Sequence, residues 1–484
     1  MANVAKKKLK SDGIYFTGMS SEEVTGSQYY IQCGNSKILL ECGLHQSASN
    51  DYLDSYKINS QKFKFKPSEL DYVFLNHVHI DHCGLIPRLV GQGFHGRIIT
   101  TSQTAQIMKP LLLNSCAIIQ DEARVLSKRY DRQYSPLYEE KDVFATLELV
   151  DTYDEYDKVY QLNDNVSFRF FRNSHCIGSV QLQLMLKDEH GKTKKILYTS
   201  DIGALHTANN YVCDTEIPQP YSDITIMEST YGNEKRKTNK TRSFDLKHLK
   251  SAIDTVADRI GTIIMPCFSF SRTQEILTEL YAIYGNEPCF DIPIYVDSQL
   301  SCEISALYNQ LLRDEDLDLW NRVCSWKNVH FVKDKEESKS CIAKRGTKII
   351  LSSSGFCTNG RIISWLKKYI PDENSMIIFS GYVGDNPSYL SYRIKNYREY
   401  KQIKINGEML PNKADCMCLS TFSSHAGFDD LVTYGGSLNT GKLVLVHGSK
   451  ESKKCLASKL QEAISKNNKT YKVVESHKDL IIRL

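Results

Sequence analysis

The apolar residues 72–75 (Tyr-Val-Phe-Leu) open onto Asn76-His77-Val78-His79-Ile80-Asp81-His82-Cys83-Gly84, and no other stretch constrains the chain as strongly. The apolar run predicts a strand, so four residues able to bind a metal leave it within one short loop. His77 and His79 alternate, and in an extended loop both rings leave the backbone on the same side, where they can chelate one ion. Asp81 and His82 are adjacent, and with a helix predicted over residues 84–90 this second pair diverges towards a second ion. Imidazole and carboxylate donors suit zinc, with manganese and iron as competitors.

At 484 residues the chain exceeds one ordinary core, which predicts two domains, one inserted in the other. A hydrophobic content of 41% and a charged content of 24% are those of a folded globular protein. The net charge of +4 neither demands nor excludes nucleic acid, so the local distribution of charge decides. The fifteen cysteines are odd in number, irregularly spaced and without a Cys-x-x-Cys pair. They are therefore expected reduced and mostly buried, which fits the cytoplasm. Cys416-Met417-Cys418 is explained by alternation in a strand. Lys6-Lys7-Lys8-Leu9-Lys10 has no apolar segment after it, unlike a secretory signal, and no stretch reaches the ~18 apolar residues of a membrane span.

Short β-rich runs at residues 14–17, 29–32 and 38–40, punctuated by glycine, predict an antiparallel start to a sheet. Residues 97–100 predict a strand. Residues 102–130 predict a helix whose apolar face is supplied by Leu111, Leu112, Ile118, Ile119 and Val125. Strands follow at 166–171 and at 180–184, where strict alternation predicts one buried face, and at 196–198. From about 221 to 403, strands at 224–227, 262–265, 292–296, 348–351 and 376–379 alternate with helical patterns. That rhythm implies a second α/β domain with a parallel sheet. The chain closes with a strand at 443–446, a helix at 450–465 and a strand at 479–484.

The loop Asn76-His77-Val78-His79-Ile80-Asp81-His82 resembles the His-x-His-x-Asp-His signature of the metallo-β-lactamase superfamily, an αββα sandwich with two zinc ions at one edge. Leu40-Glu41-Cys42-Gly43 is similar to the superfamily's first motif, in which an Asp ordinarily precedes Cys-Gly. Glu41 keeps a carboxylate that buttresses the ligand loop, one methylene longer than usual. His45, just beyond it, reads equally well as a solvated loop residue. Asn173-Ser174-His175-Cys176-Ile177-Gly178-Ser179 and Thr199-Ser200-Asp201-Ile202-Gly203 match the third and fourth motifs. The resemblance implies that His175 completes the first zinc site and that Asp201 bridges both ions.

Three further stretches narrow the family. Met227-Glu228-Ser229-Thr230-Tyr231-Gly232-Asn233 resembles the sequence that opens the β-CASP insertion of nucleic-acid-cutting members. Thr421-Phe422-Ser423-Ser424-His425-Ala426-Gly427 is similar to their Ser-x-His-Ala landmark, and Leu445-Val446-His447-Gly448 to their third. The implied fold is α/β, a metallo-β-lactamase αββα sandwich with an inserted parallel-sheet β-CASP domain, divided at 1–215, 216–404 and 405–484. The implied metal ligands are His77, His79, Asp81, His82, His175, Asp201 and His447. Asp81, Glu228 and His425 are the implied catalytic residues, with Glu228 holding His425 as an acid. The pattern departs from the family at Gly427, where an Asp is usual, over 233–238, which lack the usual His, and over 381–390, which match loosely.

Residues 266–275, 296–298 and 353–358 look like the family's strand-end loops that lead into helices, where small residues let backbone N–H groups approach phosphates. Arg272, Ser354 and Gly355 are the substrate-binding candidates there, with Ser229 and Thr230 of the stretch after Glu228. The basic run Lys235, Arg236, Lys237, Lys240, Arg242, Lys247 and Lys250 follows Glu228 directly and is a candidate phosphate track, with a solvated charged face as the alternative. Gly448-Ser449-Lys450 lacks the spacing of a P-loop and is better explained as a helix cap.

Together these features predict a two-metal phosphodiesterase acting on RNA, an endoribonuclease with 5′ exonuclease activity as an accompanying expectation. A hydroxide shared by the two cations is expected to attack phosphorus in line, and His425 to protonate the leaving 3′ oxygen. A lactonase- or thioesterase-like hydrolase would use the same metals but has no use for the insertion or the Glu228–His425 pair. A scaffold subunit would be expected to lose ligands that are all retained here. A DNA nuclease of the same family typically lacks the histidine at the position of His447. RNA is the expected partner, a membrane is not, and the sequence sets neither an oligomeric state nor a protein partner.

Overall fold

The computed structural model describes residues 11–47, 52–233, 241–381, 383–384 and 386–484. One seven-stranded sheet runs in the order Ile481–Arg483, Gly13–Phe16, Tyr29–Cys33, Ser36–Leu40, Tyr72–Phe74, Arg97–Thr100, Val150–Thr152. A second runs Lys472–Glu475, Lys442–Val446, Ile224–Glu228, Thr193–Tyr198, Val180–Lys187, Val166–Arg172, Tyr160–Asn163. Alternation along each strand sorts its side chains between two layers. Tyr29 and Ile31 join Phe74, Phe168, Leu182, Ile226 and Val444 in the core between the sheets. Tyr30, between them in sequence, faces the opposite side with Leu39, Val73 and Ile98.

Helix Ser102–Tyr130 packs on that outer side through Ile107, Met108, Leu111 and Leu112. Helices Phe428–Ser437 and Lys450–Lys466 cover the second sheet, where Leu431, Tyr434, Leu456 and Leu460 meet Leu197, Met227 and Leu445. The layers are therefore helix, sheet, sheet, helix. Ser449 caps the last of these helices by accepting from the backbone N–H of Ser452 at 3.1 Å.

Val125, expected on the apolar face of the long helix, is 48% exposed. The buried stripe passes through Ile119, Ala123 and Leu126 instead, the spacing a helical face requires. Strand Val180–Lys187 was expected to bury one face and buries both along most of its length. Its polar face is satisfied internally, with Gln181 Nε2 donating to the carbonyls of Arg172 and Glu216 and Gln183 Nε2 to those of Tyr221 and to Ser222 Oγ. Where a helix was predicted at 84–90 there is a short turn of helix at Ile80–Cys83 and a helix at Ile86–Gly91, the second carrying Pro87 in its first turn, where proline is suited.

A third sheet has six strands, all parallel, in the order Val329–Phe331, Ile294–Val296, Lys348–Ser352, Thr262–Pro266, Met376–Phe379, Asp415–Cys418. The expected edges at 216 and 404 do not coincide with the change of sheet. Strand Ile224–Glu228 pairs with Thr193–Tyr198 and Lys442–Val446, so the sandwich continues past 216. Strand Asp415–Cys418 pairs with Met376–Phe379, which carries the six-stranded sheet past 404. Local periodicity identifies a strand but not its hydrogen-bonding partner, and the partner decides the sheet.

Strands Ser36–Leu40 and Tyr72–Phe74 run parallel, as do Thr193–Tyr198, Ile224–Glu228 and Lys442–Val446. Val166–Arg172 regains the direction of Thr193–Tyr198 through two successive antiparallel pairings. Their C-terminal ends therefore gather at one edge of the sandwich, and each is followed by at least one of the residues singled out above.

Candidate metal centre

The ligand loop is fastened to the strand end at Leu40. The backbone N–H of Cys42 donates to the His82 carbonyl at 2.8 Å, and that of Ser27 to the Asp81 carbonyl at 2.8 Å. A Cβ added to Gly43 would stand 1.6 Å from the Asp81 carbonyl oxygen, so only glycine permits this approach. Glu41, Ser200 and His447 adopt left-handed φ values of 58°, 53° and 50°. Non-glycine residues rarely do so, and such strained positions gather at functional sites.

The seven predicted ligands fall into two groups that share Asp201. In one, His77, His79, His175 and Asp201 each bring a donor atom within 4.8 Å of the others, and in the other Asp81, His82, Asp201 and His447 do the same. Asp201 Oδ2 lies 3.7 Å from His77 Nε2, 3.7 Å from His175 Nε2 and 3.2 Å from His82 Nε2. His447 Nε2 lies 3.5 Å from Asp81 Oδ2.

The second nitrogen of four rings is occupied elsewhere. Nδ1 of His77 donates to Ser200 Oγ at 3.0 Å, that of His82 to Glu41 Oε2, that of His175 to the Ser424 carbonyl at 3.2 Å, and that of His447 to Thr230 Oγ1 at 3.0 Å. This leaves Nε2 as the nitrogen each ring turns to the ligand groups, that of His175 also standing 3.0 Å from His79 Nδ1. Nε2 of His77, His82 and His447 and Oδ1 of Asp201 are buried and have no hydrogen-bond partner among the described residues. Leaving such atoms unpaired costs on the order of 1–3 kcal/mol each, and cations in the two groups would satisfy them. The residues present fit a pair of divalent ions.

Burial pushes His79 down to about 4, and burial together with the neighbouring imidazoles holds His77 and His175 well below the usual histidine range. These three rings are neutral at pH 7, the form that binds metal. Burial works against the charge of Asp201, but His447 and His82 outweigh it and keep the carboxylate ionised; burial likewise opposes a charged His82, but Asp201 and Glu41 raise it well above the usual histidine range, so an ion at its Nε2 would displace a proton.

Glu41 does more than touch one ligand. It accepts from His82, from Tyr198 Oη at 2.5 Å and from Ser200 Oγ at 2.8 Å, and through Ser200 it reaches His77. His45 is 5% exposed and so is not solvated; its backbone N–H donates to Asn59 Oδ1 and its ring joins neither ligand group.

Beside Asp201, His425 Nδ1 stands 3.1 Å from Glu228 Oε1 and 3.3 Å from Oε2. Glu228 is buried, and its two oxygens accept from the backbone N–H groups of Ile202 at 2.5 Å and Thr230 at 3.2 Å. Burial disfavours a charged His425, but Glu228 and then Asp201 prevail and raise its pKa above the ordinary value. The pair is thus a held carboxylate and an imidazole biased towards its protonated form.

The substrate-binding candidates are sorted less simply. Ser229 is fully buried and donates to the Val446 carbonyl at 2.6 Å, which removes it from any cleft surface. Thr230 orients His447. Arg272 is 7% exposed and binds Glu275 and Ser424 Oγ. Ser354 Oγ accepts from the backbone N–H of Thr358 at 3.0 Å inside its own turn, and Gly355 is buried beneath the ring of Phe268. Of the basic run, Lys235, Arg236, Lys237 and Lys240 lie outside the described residues. Arg242 is no phosphate track, because its guanidinium is bound to Glu275 and Glu279 at 2.7 Å and lies over Phe422. Lys250 pairs with Asp254 and Glu287, while Lys247 is exposed. Tyr198, Ser200 and Asp245 were not singled out from the sequence. Ser200 alone carried a signal, its position directly before Asp201 at a strand end.

Residues 22–113 match the metallo-beta-lactamase superfamily, residues 273–387 the Beta-Casp domain, and residues 417–471 the Zn-dependent metallo-hydrolase RNA specificity domain. The chain is built of metallo-β-lactamase and Beta-Casp domains. It is similar to a ribonuclease of Thermus thermophilus, 26% identical over 89% of this chain and 92% of that one. It is also 28% identical to a probable RNase of Methanocaldococcus jannaschii, over 90% of this chain and 92% of that one. The endoribonuclease YSH1 of Candida glabrata is 24% identical over 95% of this chain, which spans only 57% of that longer protein. A crystal structure of a protein of unknown function from Enterococcus faecalis superposes with a TM-score of 0.53 at 13% identity, over 98% of this chain and 100% of that one, which shows a shared fold. The Zn-dependent domain and the donor set agree on metal use. Among the described residues no helix is long and apolar enough to cross a membrane.

Proposed function

We propose that this β-CASP protein hydrolyses phosphodiester bonds of RNA with two divalent metal ions, zinc by its donor set. His77, His79, His175 and Asp201 would hold one ion and Asp81, His82, Asp201 and His447 the other. When bound, the ions supply Lewis acidity, which makes water nucleophilic at neutral pH and neutralises phosphoryl oxygens. Names borne by relatives support the substrate, two of them ribonucleases and one an endoribonuclease.

The chain's own contribution is orientation and proton transfer. Glu41 and Ser200 fix the rings of His82 and His77, and Thr230 fixes that of His447. With Nδ1 committed to Glu228, His425 donates a proton from Nε2 to the 3′ oxygen as it leaves. That outcome places a 5′ phosphate on the downstream fragment. The observation that carries this reading is the Glu228–His425 pair at 3.1 Å beside the ligand groups, since hydrolysis of a thioester or lactone has no use for a separate acid brought from beyond the six-stranded sheet. The cysteines of the described residues form no disulfide, which favours a reducing compartment such as the cytoplasm.

The test is incubation of the purified protein with RNA and zinc or manganese, followed by analysis of the new ends. New 5′-phosphate ends that disappear with chelator are expected. Absence of cleavage with either metal, or 5′-hydroxyl ends, overturns the proposal.

A further inference from the structure

We propose that Phe268, Phe356 and Tyr389 form a stacking platform for nucleobases next to the cleaved bond, at the mouth of the cleft between the sandwich and the six-stranded sheet. The inference rests on the reading of RNA as substrate. Strand Thr262–Pro266 ends in a loop anchored by the Cys267 N–H on the Ser352 carbonyl at 2.9 Å. The loop then passes the metal centre, where the ring of Phe270 stands edge-on to that of His79 at 5.9 Å. Arg272, just beyond, donates to Ser424 Oγ, and the Ser424 carbonyl in turn receives His175 Nδ1. Phe268 is two residues before Phe270, at most about 7 Å of chain, and is 48% exposed.

A single exposed aromatic ring needs no explanation, but this one begins a row. Phe268 lies edge-on to Phe356 at 5.4 Å, and Phe356 stacks on Tyr389 at 5.4 Å with their planes 23° apart. Gly355 lets the row close up, since a Cβ there would stand 3.2 Å from the Phe268 ring. Tyr389 is half-buried at the far end of the row. Tyr389 lies in the stretch that matches the family only loosely, whereas Phe268 and Phe356 stand in loops that look like the family's.

Every nucleobase has a π-face, and stacking on an aromatic side chain is largely indifferent to sequence. Bases inside a duplex are already stacked and cannot use such a platform. The rings therefore supply a contact that unpaired bases flanking the bond make and paired bases do not.

The experiment compares KM on one oligoribonucleotide, on the same strand with abasic residues beside the cleaved bond, and on the strand paired over those residues. Phe268→Ala is expected to raise KM on the intact strand about 5- to 100-fold, the worth of one stacked base, while Phe268→Trp restores it and Phe268→Leu does not. The abasic strand should cost the wild type a similar factor but cost Phe268→Ala little more, because both changes remove the same contact. Leucine performing as well as phenylalanine, or losses that simply multiply, overturns the platform while leaving the parent reading intact. A wild type that cuts none of these RNAs with zinc or manganese overturns the parent reading and the platform with it. Quenching of a 2-aminopurine base on binding in the presence of chelator, lost in Phe268→Ala and in Phe268→Leu, reads the same contact without hydrolysis.

Discussion

Asp245 holds Thr421, four residues before His425: its Oδ2 accepts from the Thr421 backbone N–H at 2.8 Å and from the Thr421 hydroxyl at 2.9 Å. The same oxygen accepts from the Ser420 N–H at 2.7 Å. One turn earlier on helix Arg242–Asp258, Arg242 donates to the Thr421 carbonyl at 3.3 Å and its guanidinium lies 3.3 Å over the Phe422 ring. The first turn of this helix thus clamps the loop that presents His425. Asp245→Ala is expected to lower kcat by up to about 10²-fold, the cost of a small misplacement of a catalytic group, with metal content unchanged. Wild-type kcat in this variant would mean that the loop is held by other contacts.

That clamp was not legible in the sequence. Arg242 stood in a run of basic residues and read as a phosphate contact, while its partners Glu275 and Glu279 lie more than thirty residues further on. Only the packing of two helices brings them together. The ligands at 77–82 were legible because four donors sit in one loop and alternation decides which share an ion. His175 and Asp201 each look like ordinary loop or turn residues, and it was their order, after strands of the expected kind, that assigned them, while His447 followed from the family resemblance. The strand at 224–228 was visible and its sheet was not, because periodicity records which side chains are buried and not which neighbour satisfies the backbone.

Asp201 offers a donor atom to both ligand groups, whereas every other ligand serves one. The freshly purified protein is expected to hold about two equivalents of metal, and Asp201→Ala to lose occupancy at both sites. Metal analysis that finds Asp201→Ala fully loaded would refute the shared ligand.

Glu41 carries one methylene more than the aspartate usual in this motif, and it uses that reach to touch His82, Tyr198 and Ser200 together. Glu41→Asp is expected to pull the carboxylate away from at least one of them and to weaken zinc binding about 10- to 100-fold, as measured by competition with a chelator. Unchanged affinity would show that the longer side chain is not required by this network.

In the proposed mechanism the acid form of His425 is the active one, and Glu228 and Asp201 raise its pKa against the effect of burial. Activity that depends on it is full below that pKa and falls as pH rises through it. Glu228→Gln removes the largest raising contribution, so the alkaline limb of kcat against pH should move to lower pH. A limb that stays in place would assign it to another group.

His425→Ala separates proton donation from metal binding most directly, by comparing two substrates with different leaving groups. The variant should keep both metals and cleave RNA about 10²- to 10⁴-fold more slowly, the usual worth of general acid catalysis. A nitrophenyl phosphodiester, whose leaving group departs without a proton, should suffer far less, whereas His447→Ala should impair both substrates. Equal losses on RNA and on the nitrophenyl ester for His425→Ala, or loss of metal from that variant, would contradict the role of His425 as the acid.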